Sequence, residues 1–103
     1  MKFKKINSEV FFTKEKITVI KNTDIKFLKK NIKFAKRKRI RLCAHSNKRH
    51  LNHEMFIALS KKTYIRPHKH INKSESLHVI EGSAEVVFFD DKGKIKKIIS
   101  LSN

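Results

Sequence analysis

The sequence predicts a mainly β protein with one helix near its N-terminus, and three observations carry that prediction. Short runs rich in Val, Ile, Thr and Phe recur between polar turn residues, as in Val86-Val87-Phe88-Phe89 followed by Asp90-Asp91-Lys92-Gly93. A single segment, about Asp24 to Lys36, spaces its apolar residues at the helical period. A hydrophobic fraction of 39%, with eight Phe and one Tyr, suits a folded domain better than disorder. At 103 residues the chain holds one structural domain at most. Its patterning separates N-terminal strands and a helix over 1–38 from a β domain over 39–103.

Glu9 to Phe12 and Lys16 to Ile20 read as the first strands, separated by Thr13-Lys14-Glu15. Asn22-Thr23-Asp24 supplies a helix cap, after which Ile25, Leu28, Ile32 and Ala35 form an apolar stripe. The acidic start and lysine-rich end of this helix agree with its dipole. Lys36 to Arg41 is strongly basic but runs into alternation, with Ile40, Leu42 and Ala44 on one face and Arg39, Arg41 and Cys43 on the other. A helix exit feeding a strand follows. Ser46 to Asn52 is a polar loop, and its flanking histidines His45 and His50 are expected in solvent.

His53 to Leu59 is apolar on both faces, which predicts a strand buried twice and a homodimer to cover the second face. His53 itself reads equally as a hydrogen-bonded histidine at the strand entrance or as a pocket residue. Tyr64 to His70 reads as a strand with Tyr64, Arg66, His68 and His70 on one face. Gly82 is expected at a tight turn with positive φ, and Val86 to Phe89 as another strand buried on both sides. Asp90-Asp91-Lys92-Gly93 should turn it into a last strand, Lys94 to Leu101, whose far edge is open.

The chemistry concentrates between Tyr64 and Gly82. His68 and His70, two apart on a strand, would project both imidazoles from one face with Cα atoms roughly 6.5–7 Å apart. Asn72-Lys73-Ser74 can reverse the chain and bring Glu75 alongside. Two imidazole nitrogens and a carboxylate form a ligand set for a divalent transition metal, Fe, Mn, Zn or Ni, and leave positions open for water or substrate. From this composition, His-x-His-x4-Glu-x6-Gly arises by chance on the order of once per thousand chains. Arg66 shares the ligand face, where its guanidinium either grips a carboxylate or phosphate or pairs with Glu54, Glu81 or Glu85. His78 falls on the face opposite Glu75, so it is not expected to be a ligand.

The ligand run, with Leu77, Val79, Ile80 and Gly82 after Glu75, resembles the first motif of the cupin superfamily. Arg41-Leu42-Cys43-Ala44-His45, His53 to Ala58, Tyr64 to Gly82 and Val86 to Gly93 together are similar to the WbuC-type cupin-fold metalloproteins, over about residues 39 to 95. The resemblance implies a double-stranded β-helix or jelly-roll barrel holding a metal near its axis, in the context of surface polysaccharide biosynthesis. It implies that context without naming a reaction; a sugar or sugar nucleotide is the expected ligand, and Arg66, Tyr64, His53 and Arg41 are the candidate residues to contact it. A second cupin motif, whose histidine completes the ligands, has no counterpart after Gly93, so the barrel is expected to be truncated.

A formal net charge of +17 invites a nucleic-acid reading, but lysine is spread over the whole chain without a recognition motif. Weak non-specific attraction at low salt is expected rather than specific binding. The single Cys43 excludes an intramolecular disulfide, and no apolar run is long enough to span a membrane, so a cytoplasmic location is the default expectation. Neither Ser74, Ser76 nor Cys43 stands in a nucleophilic arrangement. The alternatives to a metal enzyme are a non-catalytic ligand-binding or regulatory module and a fragment of a longer reading frame.

Overall fold

Burial in this protein is confined to its first two thirds. The structure is a computed structural model and describes residues 2–103. It divides into two compact units, Met1–Arg66 and Pro67–Asn103. Every buried side chain among the described residues, from Phe3 to His45, belongs to the first.

The first unit contains β1 (Phe3–Lys5), β2 (Val10–Thr13), α1 (Asn22–Asn31), a 3-10 turn (Ile32–Phe34), β3 (Arg39–Cys43) and β4 (Met55–Leu59). The strands form one sheet in sequence order, antiparallel except for the β2–β3 pair, where Val10 lies opposite Arg41 and Phe12 opposite Cys43. Parallel neighbours need a crossover, and α1 lies within it. The Asp24 carboxylate accepts the Lys21 backbone N–H at 2.8 Å at the helix start, and Lys2 pairs with the same carboxylate at 3.0 Å. At the other end the last turn tightens to 3-10 geometry and stops at Ala35, whose backbone is extended. The helix therefore ends short of the predicted Lys36.

Leu28 is the α1 residue buried in the core, where it joins Phe3, Phe11, Ile40 and Leu42. Phe27 meets Phe11 edge-to-face at 5.4 Å. Arg37 ties the exit of the turn back to the β1–β2 connection: its backbone N–H and Nε donate to the two Glu9 carboxylate oxygens at 2.7 and 2.9 Å. These bonds, led by the backbone one, hold the Glu9 carboxyl below its ordinary value.

The second unit has no helix or strand over 67–82. It ends in an antiparallel hairpin, β5 (Ser83–Phe89) and β6 (Ile95–Ser102), with a register irregularity at Phe88/Phe89. The predicted turn is present: Gly93 has φ +83°, and Asp90 Oδ1 accepts the N–H groups of Lys92 and Lys94, each at 2.9 Å. Gly82 also takes the expected positive φ, at +87°.

Several expectations are corrected. The chain is mainly β with one α-helix, but the described strands form a four-stranded sheet and a separate hairpin, not a closed barrel. Lys16 to Ile20 is not a strand, and β1, which the sequence did not suggest, pairs with β2 instead. Neither Tyr64 to His70 nor the segment after Glu75 pairs into a sheet. The strands read as doubly buried are not so. Met55, Ile57 and Leu59 on β4 are exposed while Phe56 and Ala58 pack on the core, and in β5 only Val86 is half-buried. Apolar sequence on both faces records what a strand could bury, not what this unit covers.

Replacing Leu28 by Ala should cost about 2–5 kcal/mol, as for a core leucine. The exposed β6 change Ile98→Ala should stay within about 0.5 kcal/mol. Urea unfolding followed by far-UV circular dichroism measures both.

Candidate metal centre

The second unit opens with the stretch that carries the ligand pattern. His68 and His70 lie on an extended, unpaired backbone, and the chain reverses at Ile71–Asn72. Asn72 makes this possible by adopting φ +56°, the left-handed region that asparagine tolerates better than most residues. Glu75 returns so that its Oε2 lies 3.0 Å from His70 Nε2, and the same nitrogen is 3.0 Å from His68 Nε2. The two imidazoles meet edge-to-face, with ring centres 4.8 Å apart. His70 thus meets each of the other two predicted ligands, through a turn rather than through strand parity.

A His70 Nε2–H can donate to the Glu75 carboxylate and to the lone pair of His68 Nε2, the roles being set by the tautomers. A divalent cation could instead take a lone pair from each of the three groups. Among the described residues no group of three His, Cys, Asp or Glu side chains is placed to hold a metal ion as it stands. The arrangement is two pairwise contacts sharing His70. His70 and Glu75 are both substantially exposed, so an entering ion needs no opened path.

Tyr64 and Arg66 precede these ligands in the chain and belong to the first unit, both exposed. Arg41 is exposed on β3 between the buried Ile40 and Leu42. His53 lies in the first unit, where its ring stacks on His45 at 4.2 Å with an interplanar angle of 8°.

Sequence reasoning missed His45. It is only 6% exposed, meets Phe12 edge-to-face at 5.4 Å, and its Nδ1 lies 3.1 and 3.2 Å from the backbone oxygen and nitrogen of Glu54. The signal lies in the β3–β4 register: Cys43 opposite Met55, continued two residues along each strand, sets His45 opposite His53. Without that pairing, His45 reads as a loop residue. Neighbouring Cys43 is also buried, and burial pushes its thiol pKa up, so it is a poor nucleophile.

Residues 20–101 match the family described as a domain of unknown function, DUF6016. The chain belongs to the DUF6016 family. No curated protein and no solved structure matches it. The DUF6016 match spans α1, the His45–His53 pair, the ligand stretch and nearly all of the hairpin. No helix among the described residues is long and apolar enough to cross a membrane.

Burial pushes the His45 pKa below its ordinary 6.5, so the folded state resists protonation more than the unfolded chain does. The stability this provides is present above about pH 6.5 and is lost as pH falls below it. Urea midpoints taken between pH 7.5 and 5 should fall. The fall should be smaller in His45→Phe, which keeps an aromatic ring against His53 and removes the titrating group.

Proposed function

We propose that this DUF6016 protein binds a divalent transition metal through His68, His70 and Glu75, and uses the ion to hold a small anionic molecule. The observation that carries the proposal is the single nitrogen, His70 Nε2, at 3.0 Å from both an imidazole nitrogen and a carboxylate oxygen. Two imidazole nitrogens and one carboxylate suit Fe, Mn, Zn or Ni and leave positions open for water or ligand.

A bound ion would act as a Lewis acid on an oxygen of the ligand. Arg66 and Tyr64, two and four residues before His68, are the candidates for recognising its anionic group and its body. His53 and Arg41 enter the candidate set from the sequence alone. The cupin resemblance of the ligand run supports a sugar or sugar nucleotide from surface polysaccharide biosynthesis as the ligand class. The exposed Met55, Ile57 and Leu59 face supports a homodimer, and the lone buried Cys43 suits a reducing cytoplasmic setting.

Protein purified without an affinity tag should carry close to one equivalent of transition metal by elemental analysis. The amount should drop at least tenfold in a His68→Ala, His70→Ala double variant and in Glu75→Ala. Unchanged metal in the double variant would refute the proposal.

A further inference from the structure

The basic residues are not evenly placed once the chain is folded. No acidic residue lies between Asp24 and Glu54, or between Glu54 and Glu75. Within that span two cationic segments meet on the first unit. One is the exit of α1, Lys33 to Arg39; the other is the turn after β4, Lys61 to Tyr64. They are joined by backbone contacts: Ser60 N–H donates to the Lys38 carbonyl at 3.0 Å, and Thr63 Oγ1 to the Arg37 carbonyl at 2.5 Å. Glu9 balances Arg37. Lys33, Lys36, Lys61 and Lys62 are exposed around the junction, and Lys38 is partly so.

Each segment also presents an exposed aromatic ring, Phe34 at 66% and Tyr64 at 76%. An apolar ring left in water beside cations is unfavourable for the free protein and favourable for stacking on a base. The Lys33 ammonium already sits 5.2 Å from the Phe34 ring centre.

We propose that this junction is a binding surface for single-stranded nucleic acid that does not require His68, His70 or Glu75. The lysines of both segments neutralise backbone phosphates, and Phe34 and Tyr64 stack on unpaired bases. A duplex would satisfy the lysines but hide its bases from the rings, so the surface discriminates by strandedness rather than by sequence. With Arg37 held on Glu9 and Arg39 half-buried, the exposed charge of the junction is mostly lysine, which agrees with a reading that ignores sequence.

Fluorescence anisotropy with labelled oligo-dT and oligo-U, a blunt duplex of the same length, and anionic lipid vesicles tests this on the full chain. Single strands should bind at least tenfold more tightly than duplex at 100 mM salt. Phe34→Ala with Tyr64→Ala, which leaves the charge unchanged, should weaken single-strand binding about tenfold or more and leave the salt dependence as it was. Lys36→Gln with Lys61→Gln and Lys62→Gln should instead flatten the slope of log K against log salt by about 2. Both aromatic positions are exposed, and retained circular dichroism confirms folding. Equal binding of duplex and single strand, no effect of the aromatic pair, or tighter binding to vesicles would overturn the proposal. His68→Ala with His70→Ala should leave the binding unchanged, which separates this surface from the metal reading.

Discussion

A small seam of apolar side chains, Phe3, Phe11, Leu28, Ile40 and Leu42, holds the first unit together. It exists because β2 and β3 run parallel and the chain between them carries α1, which sets Leu28 against the sheet. The remaining features of that unit follow from this crossover. Its exit is pinned by Glu9 on Arg37, β4 can pair with β3, and the β3–β4 register then carries His45 onto His53.

The second unit rests on different physics. None of its side chains is buried; Val79, Val86, Ile99 and Leu101 are half-buried at most. Order in the stretch before the hairpin comes from one left-handed residue, Asn72, and from the polar contacts of His68, His70 and Glu75. Exposed ion pairs such as Lys69 with Asp91 at 3.6 Å contribute little. A cation shared by the three ligands would therefore order this segment as well as serve chemistry, the coupling of metal binding to folding seen where a core is too small.

Local signals were legible in the sequence. The apolar stripe gave α1, glycine gave two of the four positive-φ positions, Asp90 to Gly93 gave the hairpin turn, and Asn72 gave the reversal between His70 and Glu75. Signals that depend on what faces what were not. Alternation in Tyr64 to His70 has the period of a strand, yet no neighbour pairs with it. The apolar runs of β4 and β5 suggested two covered faces, and the structure covers only one face of β4 and little of β5. His70 nonetheless meets both His68 and Glu75, because a turn alone suffices to fold Glu75 back on it.

The shared cation is tested most directly by nuclear magnetic resonance of the isotopically labelled protein under substoichiometric manganese. Paramagnetic broadening should begin at the imidazole signals of His68 and His70 and at the backbone amides from His68 to Glu75, well before it reaches the rest of the chain. Broadening that starts instead at the Asp90–Asp91 turn, or that spreads evenly over the surface, would contradict a metal held by these three residues.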